Sequence, residues 1–257
     1  MDKDIYEKII DKKEFSHLLK KDVELVFNKF NKRQVSDEEK IRLTRDLLRK
    51  VFSVFSSKKV LNKNILDKKS FEEILKKHLS TRERFDFYEE LYKRLLEKDD
   101  EIVIDLGAGI NGLSYEYFNK KIKYAAIEAV GQLVDLMNEF FRKNSIKNAN
   151  VIQESLFELR NIKKLIEKQK GKKVVFLFKT LDSLEMVERD FSKKLLEEIV
   201  PLVDRVVVSF ATRSLVSKKS FRVKRYWFEN FVKQNFRVIS DFELGGERYF
   251  VFSKKYS

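Results

Sequence analysis

The residues best placed to do chemistry lie around position 105, where an apolar run ends on a carboxylate and continues into a glycine-rich turn. Residues 101–112 read EIVIDLGAGING, so Asp105 precedes Gly107 and Gly109. Glycines remove the side chains that would keep the backbone from turning tightly and approaching a ligand. The next helix is predicted to begin near Asn111, with its first N–H groups facing the same space. This pattern predicts a site for a nucleotide-like cofactor.

The glycine spacing alone is compatible with two cofactors. The run that begins at Gly107 also satisfies the G-x-G-x-x-G pattern of dinucleotide-binding proteins, so NAD and S-adenosylmethionine both fit it. Asp105 favours S-adenosylmethionine, because a carboxylate here attracts its amino group and sulfonium and repels a pyrophosphate. Glu128 ends the next apolar run, 124–127, where a carboxylate can accept hydrogen bonds from the ribose hydroxyls of either ligand.

The elements that position this turn alternate between strands and helices. Buried strands are predicted at five apolar runs: 101–105, 124–127, 151–152, 174–178 and 205–210. Two further strand-like runs, 236–244 and 248–253, flank Gly245-Gly246, a hairpin signal that makes the last strand antiparallel. Seven such strands favour an α/β fold with the Rossmann-like sheet of class I S-adenosylmethionine-dependent methyltransferases over a six-stranded dinucleotide-binding fold. Alternatively, the glycines serve only a tight strand-to-helix turn.

Residues 1–98 follow a different pattern and are predicted to form an all-helical domain of four or five helices ahead of a sheet domain of residues 99–257. Helical periodicity dominates in this region, which contains neither Gly nor Pro. Ser36-x-x-Glu39 is a capping box that opens one predicted helix. A second box, Ser80-x-x-Glu83, predicts a helix that carries an aromatic and apolar stripe over residues 85–95.

The charge of the chain favours a polyanionic partner. The formal net charge is +14 and the pI is about 9.6. The strongest local bias lies in residues 212–225, which contain six basic residues and no acid. These six are predicted to bind RNA: Arg213, Lys218, Lys219, Arg222, Lys224 and Arg225. The segment follows the strand that ends at Phe210, at the sheet edge that carries the cofactor turn. The alternative is a solvated loop and helix face.

The composition excludes several classes of protein. The chain has no Cys and only two His, His17 and His78, which excludes disulfides, thiolate nucleophiles and histidine clusters, so no metal is expected. No apolar run reaches 18 residues, and the amino terminus is charged from Asp2 onward. These features predict a cytoplasmic protein without a membrane span or signal peptide, and we expect a monomer.

The residue types also limit which methyl transfer is possible. Methylation of a pyrimidine carbon needs a cysteine, and the chain has none. Methylation of an exocyclic amino group usually relies on an Asp/Asn-Pro-Pro-aromatic turn after the fourth strand, where this chain has Lys179-Thr-Leu-Asp182. Attack by a free lone pair such as guanine N7, or by a ribose or phenol oxygen with a base, remains. Lys179 ends a buried strand, where an unpaired cation is costly, so we interpret it as functional.

Several longer motifs are similar to the aminoglycoside-resistance 16S ribosomal RNA methyltransferases, which modify guanine N7 in the decoding site. The resemblance spans about residues 20–253. Its motifs are His78-Leu-Ser-Thr-Arg-Glu-Arg84, Asp105-Leu-Gly-Ala-Gly-Ile-Asn111, Phe176-Leu-Phe-Lys-Thr-Leu181, Val208-Ser-Phe-Ala-Thr-Arg-Ser-Leu215, Trp227-Phe-Glu229 and Gly246-Glu-Arg-Tyr249. The chain departs from the family at Ala211, where Pro is usual, and at residues 218–224, where a glycine-rich basic stretch is usual. These departures leave the exact target nucleotide and a housekeeping role open.

The resemblance implies a donor, a partner and a set of site residues. The donor is S-adenosylmethionine, and the partner is the small ribosomal subunit, on which the helical domain helps to dock. By position, Arg82 is implied to reach the cofactor carboxylate, and Lys179 to lie near the methyl group or the target nucleotide. The other implied cofactor-binding residues are Asp105, Gly107, Gly109, Asn111, Glu128, Ala129, Glu154, Ser155 and Leu156.

Two alternatives remain at this point. The first is methylation of another RNA position, such as adenine N1 nearby or a position in transfer RNA. The second is a non-catalytic RNA-binding relative that keeps the fold.

Overall fold

A seven-stranded mixed sheet lies at the centre of the fold. The computed structural model describes residues 1–53, 65–118, 121–212 and 225–255. The strands are β1 Ile102–Leu106, β2 Lys123–Glu128, β3 Ala149–Gln153, β4 Lys173–Phe178, β5 Arg205–Ala211, β6 Phe236–Leu244 and β7 Glu247–Lys254. Their order across the sheet is β3-β2-β1-β4-β5-β7-β6. Strands β1–β5 are parallel, and β7 is antiparallel to both β5 and β6.

Helices before the sheet cover one of its faces. They are α1 Lys3–Ile10, α2 Lys20–Asn31, α3 Asp37–Leu48, α4 Ile65–Lys68, α5 Phe71–Lys77, α6 Leu79–Arg82 and α7 Tyr88–Leu95. A π-helical turn, Arg49–Ser53, continues α3, and a 3-10 turn, Phe85–Phe87, precedes α7. Their apolar residues form one continuous cluster with side chains on one sheet face, such as Val103 and Phe176. The helical region and the sheet therefore share a core.

The other helices complete a three-layer architecture. They are α8 Gly131–Lys143, α9 Leu159–Glu167, α10 Leu181–Val187, α11 Phe191–Ile199 and α12 Tyr226–Asn235. Because side chains alternate along a strand, Ile104 points to the face opposite Val103. Apolar residues of α9, α10, α11 and α12 cover that second face, and α8 joins the first. Within the described ranges, no helix combines the length and the apolar character needed to cross a membrane.

The predicted strands and the hairpin are confirmed, as is the helix start at Ser36, although the Glu39 carboxylate bonds Arg42 and not the Ser36 N–H. Gly245 and Gly246 adopt φ values of 60° and 80° between β6 and β7. The Ser36 side chain accepts a hydrogen bond from the Glu39 N–H at the start of α3.

The second capping box is wrong, because Ser80 lies inside the four-residue helix α6, whose N-cap is His78. The stripe predicted to follow it begins only at Tyr88, in a separate helix. Seven α-helices are described before β1, more than expected, because some have only four residues.

Candidate functional site

The glycine turn after β1 needs residues without side chains at two positions. Gly107 and Gly109 have φ values of 75° and 57°, in the left-handed region that favours glycine. A Cβ atom on Gly107 would lie 2.9 Å from Cγ2 of Thr180, so the close approach of the turn to the end of β4 also excludes a side chain. The turn leads into a 3-10 helix, Asn111–Tyr117, at the predicted position.

Glu128 fixes this turn to the end of β2. Its Oε2 accepts a hydrogen bond from the Gly109 N–H at 2.8 Å, and its Oε1 accepts one from the Val130 N–H at 2.9 Å. Burial raises the pKa of Glu128 to about 7, although these backbone donors favour the charged form. Each carboxylate oxygen can accept a further hydrogen bond. Glu128 can therefore hold two hydroxyl groups of a ligand.

A cleft of about 780 Å³, including the open space at its mouth, lies along this edge of the sheet. Its floor consists of the glycine turn, Glu128 and Ala129, and its sides contain apolar residues. The apolar and aromatic side chains in its walls are Val51, Phe52, Leu133, Leu156, Phe157, Phe178 and Leu184. The mixture of apolar walls with a few polar groups is typical of small-molecule sites.

Asp105 lies behind the turn and does not line the cleft. It is buried, with 1% of its surface exposed, and its Oδ2 accepts hydrogen bonds from Asn111 Nδ2 and the Tyr124 hydroxyl, both at 2.8 Å. Burial raises its pKa above the ordinary value. Asp105 and Asn111 therefore hold the shape of the turn from below.

Lys179 lies in the wall of the cleft within a buried charge cluster that consists of Glu83, Arg84, Lys179 and Glu247. Lys179 Nζ lies 2.7 Å from Glu83 Oε2 and 3.1 Å from Glu247 Oε1. The Nε atom of Arg84 lies 3.4 Å from the same Glu247 oxygen, and its guanidinium stacks over the Phe178 ring. Lys179 has a φ of 57°, so the chain turns sharply where β4 ends. The cluster supplies the partners that burial of Lys179 requires.

The charges of this cluster change the pKa of one of its members, Glu247, and of the nearby His78. Burial alone would raise the pKa of Glu247, but Arg84 and Lys179, together with hydrogen bonds from Ser209 and Lys179, lower it below its ordinary value. His78 is the C-cap of α5 and the N-cap of α6. Burial, reinforced by Arg84 and Lys179, lowers the pKa of His78 to about 3, so this imidazole is neutral at physiological pH.

The structure brings some of the predicted cofactor-binding residues to the cleft and leaves others outside it. Those that line it are Gly107, Gly109, Glu128, Ala129 and Leu156, together with Lys179. Glu154 and Ser155 lie behind the wall, paired with Lys21 and Asp22 of α2. Arg82 is exposed and is not part of the lining.

Two charged lining residues, Arg84 and Asp22, were not predicted as site residues. Arg84 precedes Tyr88 by four positions in the sequence, so it is in register with the apolar stripe of α7 although it lies outside that helix. Asp22 lies four residues before the buried Val26 of α2. In both cases, the available signal was a charged residue in register with an apolar helical face.

The basic segment begins and ends beside the cleft. At its start, the Thr212 N–H and hydroxyl both donate to the Gly246 carbonyl at 2.9 Å. At its end, Arg225 donates two hydrogen bonds to Asp182, at 2.6 and 3.0 Å, and lies over the Phe210 ring. Five of the predicted RNA-binding residues lie outside the described residues: Arg213, Lys218, Lys219, Arg222 and Lys224.

One acidic group among the described residues could reach a metal ion. It comprises Glu97, Asp99 and Asp100, at the opposite end of the sheet from the cleft. Lys172 lies 2.8 Å from Glu97 and 2.9 Å from Asp99, and Arg205 pairs with Glu97 and Asp100. Protein cations therefore balance these acids.

Comparisons with known proteins agree with this architecture. The sequence profile of the family described as "Ribosomal RNA methyltransferase (FmrO)" matches residues 66–237, more than half of the chain. The chain is similar to the 16S rRNA methyltransferase RmtF, whose structure is a complex with S-adenosyl-L-homocysteine. The TM-score is 0.82 at 21% identity, over 99% of this chain and 100% of that one.

Two more solved structures extend the comparison. The 16S rRNA methylase RmtB gives a TM-score of 0.79 at 20% identity over 98% of each chain. An S-adenosylmethionine-dependent methyltransferase from Aquifex aeolicus gives 0.50 at 18% identity, over 70% of this chain and 97% of that one. The comparison with curated protein sequences gives no match. These similarities confirm the predicted class I methyltransferase fold, with its antiparallel last strand and preceding helices.

Proposed function

Because the chain belongs to the ribosomal RNA methyltransferase (FmrO) family, we propose that it transfers a methyl group from S-adenosylmethionine to guanine N7 in the decoding site of 16S ribosomal RNA. The proposed substrate is the assembled small subunit in the cytoplasm, and residues 1–98 are the proposed docking domain. The observation that carries the proposal is a single cleft that is lined by the glycine turn, the Glu128 carboxylate and two buried cations, Arg84 and Lys179.

The residues present fit this donor. S-adenosylmethionine supplies an electrophilic methyl group on a sulfonium. Glu128 offers acceptors for the ribose hydroxyls, and the turn at Gly107 leaves room for close backbone approach. We propose that Arg84, which lines the cleft, holds the carboxylate in place of the exposed Arg82. Lys179 would face the reacting end.

The proposed reaction needs little acid–base catalysis by the protein. Guanine N7 carries a free lone pair at neutral pH, so no side chain must remove a proton from it. Holding the base in line with the methyl group can contribute about 7–11 kcal/mol through positioning alone. Lys179, at the reacting end, is suited to this role because Glu83 restricts its position, and Glu247 likewise restricts Arg84, which would hold the cofactor carboxylate.

Incubation of assembled small subunits with labelled S-adenosylmethionine, followed by mapping of the modified base, tests the proposal. We expect label on one guanine of the decoding site and a positive charge on its ring. Label on an adenine, or uptake by free transfer RNA but not by subunits, would support methylation of another position. Binding of RNA without any S-adenosylmethionine binding would identify a non-catalytic relative.

Replacement of Gly107 by Ala is expected to weaken both the fold and the cofactor site. The left-handed backbone should cost about 1–2 kcal/mol of unfolding free energy. The new methyl group meets Thr180, so we expect at least a tenfold loss of S-adenosylhomocysteine affinity by calorimetry. Gly171→Ala is the matched control, because its φ of 91° carries similar strain at the other end of the sheet. Equal binding losses in the two variants would contradict the placement of the cofactor.

The double substitution Lys218→Ala with Lys219→Ala is expected to weaken binding to small subunits and to flatten its salt dependence. Each phosphate that the protein no longer neutralises should reduce the slope of log K against log salt by somewhat less than one. The control is Lys168→Ala with Lys170→Ala, two exposed lysines that precede the amino end of β4. An unchanged slope in the first variant would mean that the basic segment faces away from the RNA.

A further inference from the structure

Asp22 of α2 belongs to the cleft although it lies more than 80 residues before the glycine turn. Its side chain is 1% exposed and lines the cleft. Its Oδ1 accepts a hydrogen bond from the Ser155 hydroxyl. Its Oδ2 is buried and has no hydrogen-bond partner among the described residues. A buried carboxylate oxygen without a donor is costly, so this atom needs an explanation.

The fold explains only one half of this carboxyl group. An acid in the first turn of α2 interacts favourably with the helix dipole, but an exposed acid would do the same. Ser155 satisfies Oδ1, while the adjacent cation in the sequence, Lys21, pairs with Glu154. The second oxygen is therefore available to a ligand that donates a hydrogen bond.

The sheet topology indicates which part of the cofactor reaches Asp22. Strands β1, β2 and β3 are neighbours, so the glycine turn, Glu128 and Leu156 follow one another along the sheet edge. A ligand whose ribose lies at Glu128 must place one end towards β1 and the other towards Leu156. The apolar walls near Leu156, including Leu133 and Phe157, suit a planar ring. Ser155 places Asp22 beside this end of the cleft.

We propose that Asp22 accepts a hydrogen bond from the exocyclic amino group of the adenine ring, so that the helical region selects the base of the methyl donor. This inference rests on the proposed function for the identity of the donor. It makes α2 part of the cofactor site, tied to the sheet through Asp22–Ser155 and Lys21–Glu154. An oxygen at the same ring position would face the carboxylate and be repelled.

The titration of Asp22 is consistent with a ligand that donates a hydrogen bond to its carboxylate. Burial raises the pKa of Asp22 to about 6, against the opposing effects of Ser155 and Lys21. Glu154 and Glu158 raise it further, and Glu128 and Arg84 line the same cleft. A donor at Oδ2 favours the charged form, so the advantage of wild type over Asp22→Asn in ligand binding should shrink as the pH falls from 7 to 5.

Calorimetry with two ligands on Asp22→Asn tests the proposal. S-adenosylhomocysteine presents an amino group to residue 22, and S-inosylhomocysteine presents an oxygen. An asparagine can still accept from Ser155 and would then present an amide N–H₂ to the ring. We expect adenosyl affinity to fall about 10- to 100-fold and the preference for adenosyl over inosyl to be lost or reversed. Glu24→Gln, a half-buried acid on α2 that does not line the cleft, should change neither affinity.

Thermal unfolding of the free proteins separates a ligand role from a structural one. Removal of a buried charge whose Oδ2 has no hydrogen-bond partner among the described residues should leave the melting temperature of Asp22→Asn unchanged or higher, while the stabilisation by S-adenosylhomocysteine falls. An Asp22→Asn protein that keeps wild-type preference for the adenosyl ligand overturns the inference alone. A wild-type protein that binds neither ligand overturns the proposed donor and the inference together.

Discussion

Glu247→Gln is expected to lower the free energy of unfolding by about 3–5 kcal/mol, which corresponds to a melting temperature lower by roughly 6–20 °C. Glu247 is fully buried and lies within 3.4 Å of both Arg84 and Lys179. Its neutralisation leaves these two buried cations with Glu83 as the remaining acid of the cluster. Thermal and denaturant unfolding of the free protein measure the loss, which should be accompanied by weaker cofactor binding.

The sign of the pH dependence provides a second test of Glu247. Its pKa is lowered in the folded protein, so its stabilisation is present above the ordinary carboxyl pKa and is lost as the pH falls through the folded value. The difference between wild type and Glu247→Gln should therefore narrow in acid. Glu243→Gln, an exposed acid on the neighbouring strand β6, is the control. Adding Lys179→Met to Glu247→Gln should restore part of the stability, because it removes one of the two cations left without Glu247. A melting temperature of Glu247→Gln within about 2 °C of wild type would contradict the stabilising role of Glu247.

The sheet was predictable because its signals are local. Runs of β-branched and aromatic residues identify β1 to β5, and Gly245-Gly246 identifies the final hairpin. Capping boxes are local too, but a tertiary contact can override them. Glu83 pairs with Lys179 and the next residue, Arg84, pairs with Glu247, in the segment where the chain leaves α6. These pairs explain why no continuous helix extends from Ser80.

The candidate site was predictable where it follows a strand and unpredictable where distant elements contribute to it. Gly107, Glu128 and Lys179 each end or follow a strand, so topology places them at one edge. Asp105 was assigned to the cofactor by the same logic, and its Oδ2 accepts hydrogen bonds from Asn111 and Tyr124 behind the turn. Asp22 comes from a helix whose position on the sheet depends on shared core packing, which no local pattern specifies.

Glu128→Gln is expected to reduce S-adenosylhomocysteine affinity at least 100-fold and to destabilise the free protein by about 1–3 kcal/mol. Both carboxylate oxygens accept backbone N–H groups, from Gly109 and Val130. A glutamine must place its own N–H₂ against one of these donors, so the turn loses a hydrogen bond and its position shifts. The replacement also turns one of the carboxylate oxygens that would accept the ribose hydroxyls into an N–H₂ group. Calorimetry and unfolding of the same preparation measure the two effects.

Two comparisons separate the role of Glu128 in the turn from its role in ligand binding. A 2′-deoxy analogue of S-adenosylhomocysteine should bind wild type about tenfold or more weakly, but should show a much smaller deficit on Glu128→Gln, because the acceptor is already gone. Because the folded pKa of Glu128 is about 7, wild type should gain stability as the pH falls from 7 towards 4.5, a gain that Glu128→Gln should lack. Glu116→Gln, an exposed acid in the 3-10 helix after the turn, controls for the loss of one charge. If wild type and Glu128→Gln lose the same affinity when S-adenosylhomocysteine is replaced by its 2′-deoxy analogue, the ribose must lie elsewhere in the cleft.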